Sequence, residues 1–262
     1  MNEIEKMQNQ LVVKHNDLIQ KSRYNLTITQ QKLIAYVISL IKPTDTDFQR
    51  YEINVADFCE LCGIDKNYFY SEFIDIIDDM DSKTFWVKTD SKIYKFRWFL
   101  KAEYLYKKGK VRLILDDDIK KYLIELSKNF SKYELYNILA LKSKYSLRLY
   151  EIFKSYAFQR VKELDIDDLK EMLMATHYKN FKDFRIRVLD RAVEEINYYT
   201  DITVNYEPIT KGRKVVSVKF TIRTKKSMDG YLAYRNTIDE INKRNKQIKG
   251  QISIFDKEVE DF

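Results

Sequence analysis

The run KNFKDFRIRVLDRAVEEINYYTDITVNYEPITKGRKVVSVKFTIRT, Lys179 to Thr224, decides the fold. Asn180 with Asp183 three residues on supplies a capping oxygen and then an acid in the positive first turn of a helix. Phe181, Phe184, Val188, Leu189, Ala192, Val193 and Ile196 recur at three- and four-residue spacing, which predicts one buried helical face. Lys179, Lys182, Arg187 and Arg191 fall largely off that face. After Asp201 the period becomes two. Ile202, Val204 and Tyr206 form one strand, Lys211-Gly212-Arg213-Lys214 a turn, and Val216, Val218, Phe220 and Ile222 a second strand. From Pro208 to Lys226 there is no Asp or Glu. A helix followed by a basic two-stranded hairpin is a winged helix, shaped for a DNA major groove with the hairpin alongside. A solvated basic turn is the alternative, and the rest of the chain decides between them.

At 262 residues the length suits one or two domains. A formal net charge of +7 favours a polyanionic partner. No apolar run approaches the roughly 20 residues of a membrane span, and no apolar signal core is present. We therefore expect a cytoplasmic protein without a membrane partner. Cys59 and Cys62 are the only cysteines, and His15 and His177 are distant, so buried thiols are expected rather than a metal site.

Residues 1–20 read as a loosely docked lead. Thr27 with Gln30 makes a capping box for a helix that ends before Pro43. Arg50 to Val55 reads as a strand, and Asn54 with Asp57 starts a helix stopped at Gly63. Phe69, Phe73, Ile76, Ile77 and Met80 mark the next helix, and Phe85-Trp86-Val87 with Tyr94 to Tyr106 a hairpin. Residues 131–158 read as a long helical region, broken near Lys142-Ser143, and Asp165 with Asp168 caps another helix.

This order repeats. At an offset of 111, Glu52 matches Glu163, Ile53 Leu164, Asp57 Asp168 and Phe58 Leu169. After an insertion of about five residues, Phe73 matches Leu189, Ile77 Val193, Met80 Ile196 and Trp86 Ile202. The expected fold is α+β: two tandem winged-helix domains, residues 1–128 and 129–226, followed by a mobile tail, 227–262. The copies differ in charge. Glu72, Asp75, Asp78, Asp79 and Asp81 line the reading helix of the first, and acids repel phosphates. The second copy is therefore the one expected to read bases, through Lys179, Lys182, Arg185, Arg187 and Arg191, with Lys211, Arg213, Lys214, Lys219 and Arg223 on the backbone. Arg185 sits near the apolar face, so it either projects into the groove or pairs with an acid of the first domain.

The runs VVKHNDLI (Val12 to Ile19), LTITQQKLI (Leu26 to Ile34), SLRLYE (Ser146 to Glu151), FRIRVLDRAVEEIN (Phe184 to Asn197) and TDI (Thr200 to Ile202) resemble the RepB-type replication initiators of iteron plasmids over about residues 12 to 226. His15 departs from the small polar residue expected at its place. The resemblance implies monomers on directly repeated origin duplexes, dimers on an inverted repeat that represses the gene, main groove contacts from the second domain, and dimerisation with accessory contacts from the first. It implies origin opening and recruitment of host replication proteins, an initiator or helicase among them. A transcriptional regulator with no replication role is the alternative. No enzyme is expected. A nicking enzyme needs a histidine pair beside a tyrosine, and no GxxxxGK[ST] phosphate loop is present. The acids of Asp116-Asp117-Asp118 read as a helix start rather than a metal site, so no cofactor or metal is expected.

The tail carries Gln251-Ile252-Ser253-Ile254-Phe255, three large apolar residues in a charged segment. The run resembles the peptide by which polymerases dock on the bacterial sliding clamp, with isoleucine in place of leucine. The alternative is that Ile254 and Phe255 fold back onto the domain.

Overall fold

The computed structural model describes residues 3–89 and 91–260, without side chains at 3, 66–71, 106 and 249–260. The local start and stop signals act as expected. Thr27 Oγ1 accepts from the Gln30 amide while Gln30 Oε1 accepts from the Thr27 amide, closing a capping box on helix Ile28–Ser39. Asn54 caps helix Val55–Cys62, and Gly63 ends it at φ 65°, a left-handed value glycine adopts without a Cβ clash. Asp165 caps helix Ile166–Met172 by accepting from two amides.

Two sheets have the same order. Strand Tyr51–Asn54 pairs with Lys110–Leu115, which pairs with Phe99–Leu105. Strand Val161–Asp165 pairs with Lys214–Thr224, which pairs with Ile202–Lys211. Each sheet covers a helix triplet, so the chain is a tandem of winged helices. The match of Trp86 with Ile202 is corrected. The hairpin Phe85–Lys88 and Ile93–Phe96 pairs with Ser22–Arg23 and is an extra sheet; the wing of the first domain is Phe99–Leu115. Alternation identifies a strand but not its partner.

The predicted boundary at residue 128 is also corrected. Strand Phe130–Glu134, expected as helix, pairs antiparallel with Leu11–His15. That pairing makes the N-terminal segment part of the core, with Val12, Leu18 and Ile19 buried, rather than a loose lead. Helix Lys144–Tyr156 then runs between the two winged helices. Its Arg148 donates to Ile19 O at 2.6 Å and Ser22 O at 3.0 Å on one side. Its Tyr150 and Lys154 hold Asp201 at 2.9 and 2.6 Å on the other. Within it, Glu151 accepts from Lys14 Nζ and from Tyr133 OH, both at 2.6 Å, in a site shielded from water.

Residues 227–248, expected as a mobile helix or linker, form a helix that is docked rather than mobile. Helix Ser227–Glu260 buries Ala233, Thr237 and Ile241 at four-residue spacing, the first two small enough to let it approach closely and Ile241 packed into the core. Thr237 Oγ1 donates to Tyr199 O at 2.9 Å, Arg244 to Ala140 O at 2.8 Å and Asn245 to Glu60 O at 3.0 Å, so this helix joins both domains. Among the described residues, no helix is long and apolar enough to cross a membrane.

Candidate nucleic-acid interface

The helix expected from Lys179 onward is one continuous run, Phe181 to Tyr199, with a π-helical turn at Arg185–Asp190. Asn180 caps it, its Oδ1 accepting from the Asp183 amide at 2.8 Å. The wider turn lets Phe184, Val188, Leu189, Ala192 and Ile196 all stay buried while Arg185, Ile186 and Arg187 face solvent. Arg185 lies 3.7 Å from Asp190, five residues ahead on its own helix, so the expected alternative of an acid from the first domain is corrected.

Three of the four acids of this helix are engaged with the protein, and the fourth, Glu194, is exposed beyond the first turns. Asp183 accepts from Asn180 Nδ2 at 2.7 Å. Asp190 accepts the Tyr206 hydroxyl of the adjacent strand, and burial together with that bond pushes the Tyr206 phenol well up. Glu195 accepts from the Lys142 and Ser143 amides and lies 3.3 Å from Arg191. Lys179, Lys182 and Arg187 are exposed and make no ion pair among the described residues. The face therefore presents cations whose charge its acids do not neutralise.

The strand beside this helix sets its orientation. Tyr206 meets Asp190, and Asn197 exchanges hydrogen bonds with Val204, donating to its carbonyl at 2.9 Å and accepting from its amide at 2.7 Å. The helix thus runs antiparallel to strand Ile202–Lys211, and its first turns lie at the wing-tip end. At that tip Gly212 has φ 65° and Arg213 does not have positive φ, which fits a two-residue hairpin with glycine first. Lys211 and Lys214 stand directly opposite each other with Arg213 between them. Like charges across a strand pair are unfavourable without an anion to share.

Two predicted contacts fall outside this cluster. Lys219 stands in register between Glu207 and Glu163, so its outer face is mixed in sign. Arg223 is opposite Thr203, nine residues from Lys214, which at ~3.3 Å per residue is roughly 30 Å from the wing tip. Spacing alone could not show this, because both lie in the same acid-free stretch. Charge reasoning also passed over Ile186, 49% exposed between Arg185 and Arg187. Its position off the buried stripe was legible, and an aliphatic side chain there suits a thymine methyl.

In the first domain Glu72, Asp75, Asp78, Asp79 and Asp81 are exposed on helix Lys66–Ser82. That acidic face agrees with a helix that does not enter a groove. Cys59 and Cys62 are free and buried, and burial pushes the Cys62 thiol up to about 11, away from the metal-binding thiolate. Gln251, Ile252, Ser253, Ile254 and Phe255 have side chains outside the described residues.

Wing-tip cations that touch phosphate release counterions. Arg213→Ala with Lys214→Ala should lower the slope of log K against log salt by about 1.8, two phosphates at ~0.9 each. An unchanged slope in a fluorescence titration removes the wing from the interface.

Comparison with known proteins bears on the same segments. A family described as "Initiator Replication protein, WH1" matches residues 11–154, and "Initiator Rep protein, WH2" matches residues 165–222. The first region contains both paired strands, Leu11–His15 and Phe130–Glu134, and ends within the central helix. A replication initiation protein of Escherichia coli is 27% identical over 233 residues, 84% of this chain and 71% of that protein. The structure described as "Crystal structure of Pi initiator protein in complex with iteron DNA" has the same fold, with a TM-score of 0.71 at 20% identity over 84% of this chain and 99% of that one. With its two winged helices both matched, the chain belongs to the initiator replication protein family.

Proposed function

We propose that this chain starts plasmid replication by binding repeated origin duplexes, iterons, with its second winged helix, and that it acts without enzymatic chemistry. The observation that carries the reading is the set of unneutralised cations Lys179, Lys182 and Arg187 at the same end of the domain as Lys211, Arg213 and Lys214. The printed title of the similar Pi structure, a complex with iteron DNA, supports it. Opening of the origin and recruitment of a host initiator or helicase in the cytoplasm belong to the same proposal. A plasmid deleted for this gene should replicate only when the protein is supplied in trans; replication without it contradicts the proposal.

The first domain is proposed to dimerise the protein for repression. Of its hairpin's large apolar residues, Phe85 and Phe96 are core, whereas Trp86, Ile93 and Tyr94 are exposed. Trp86→Ser with Ile93→Ser should shift the mass in light scattering toward the monomer at micromolar concentration; an unchanged dimer excludes this surface.

The apolar run of the tail is proposed to bind the bacterial sliding clamp, with Gln251 fixing register and Ile254 and Phe255 filling an apolar pocket. A peptide spanning Lys249 to Lys257 should bind the host clamp with a Kd on the order of 1 μM, about −8 kcal/mol. Gln251→Ala with Phe255→Ala should abolish binding, and retention by that double variant sinks the assignment.

A further inference from the structure

The strand Val161–Asp165 is the edge of the second domain's sheet, and no strand pairs with its outer side among the described residues. Arg160 O accepts from the Ile222 amide at 2.7 Å. Antiparallel bonding alternates, so Lys162 and Leu164 continue that ladder, while the N–H and C=O groups of Val161 and Glu163 point outward. Unpaired edges are usually blunted or covered. This edge instead begins beside Phe158, 78% exposed, and Val161, 45% exposed. Next to them a cavity of about 330 Å³ is lined by Ala157, Arg160, Ile222, Arg223 and Thr224. Neither arginine makes an ion pair among the described residues. Of the two acids in this edge, Glu163 accepts from the Ser217 hydroxyl at 2.5 Å and Asp165 from the Asp167 and Asp168 amides of the following helix. The site lies at the Thr203 end of the sheet, opposite the wing tip, so bound duplex would leave it open.

We propose that this edge docks an extended, acidic segment of a protein partner, by strand addition. Backbone groups of Val161 and Glu163 would pair with the segment, Phe158 and Val161 would cover an apolar side chain, and Arg160 with Arg223 would bind carboxylates in the cavity. The outward N–H and C=O groups and apolar Val161 fit a peptide backbone better than a chain of phosphates, which offers no N–H to the outward carbonyls. The site stands on this geometry and not on the reading of DNA by the opposite end.

The test uses the full chain and a fluorescein-labelled octapeptide alternating glutamate with isoleucine or phenylalanine, followed by anisotropy. Saturable micromolar binding is expected, unchanged when a duplex carrying the plasmid's repeats saturates the protein. Phe158→Ser with Arg160→Asn should weaken peptide binding roughly tenfold or more and leave duplex binding intact; asparagine tolerates the φ of 61° at this position. Glu163→Pro, which removes an outward N–H from an edge strand, should weaken it too, with an unchanged thermal melt as the control. The proposal is overturned by absence of saturable binding, by equal binding to the Phe158 and Arg160 variant, or by displacement of the peptide by duplex. A labelled oligothymidylate that outcompetes the peptide and is lost in the same variant would also overturn it, making this a single-strand site.

Discussion

Glu151→Ala should cost the fold about 3–5 kcal/mol, read as a fall in the urea midpoint at unchanged slope. Its carboxylate is 1% exposed and receives Lys14 Nζ and Tyr133 OH at 2.6 Å, with Arg148 Nη1 at 3.9 Å. Removing it leaves a lysine and an arginine charged in a site closed to water, and the cost is chiefly that of the orphaned cations. Lys14 belongs to the strand Leu11–His15 and Arg148 to the helix between the domains, so the damage should reach both. The acid side of the stability profile should carry the same signature. Burial alone would raise the Glu151 carboxyl, but Lys14 and Arg148 override it and hold it below its ordinary value. A depressed folded value means stability that is complete above the ordinary carboxylate range and lost as pH falls through the lowered one. A loss under about 1 kcal/mol in the alanine variant would mean that the pair is compensated by solvent entering the site.

Arg187→Ala should weaken binding to the plasmid's repeats by about 1–3 kcal/mol, or roughly 5- to 150-fold, while random duplex loses far less. Arg187 is exposed on the π-helical turn and makes no ion pair among the described residues, so its guanidinium is available for the two acceptors of a guanine. Arg191→Ala should lose less, because that side chain already lies 3.3 Å from Glu195. Equal losses for repeat and random duplex would assign Arg187 to phosphate rather than to a base.

The parts of the fold that were legible are those fixed by neighbours in sequence. The caps at Thr27, Asn54, Asp165 and Asn180 and the stop at Gly63 need only three or four residues to act. The sign reversal between the two reading helices is likewise a local property, and it survives in the exposed acids of one and the exposed cations of the other. Long-range pairing was not legible. Leu11–His15 meets Phe130–Glu134 across more than a hundred residues, and nothing local in the sequence marks Lys14 and Glu151 as the pair that this fold buries together. The docking of the helix after Ser227 was not legible because two of its contact residues, Ala233 and Thr237, are scarcely marked by hydropathy and leave Ile241 looking isolated. In the site, composition placed ten basic residues correctly on the surface, but only strand register separates Arg213 from Arg223 and sets Lys219 between two acids.

The central claim is that the first turns of helix Phe181 to Tyr199 and the wing tip face the duplex, with the Phe158 end turned away. A photo-crosslinking amino acid placed at Ile186 in one sample and at Phe158 in another tests it directly. On irradiation with a duplex carrying the plasmid's repeats, position 186 should crosslink to the DNA and position 158 should not. Crosslinking from 158 with none from 186 would contradict the account.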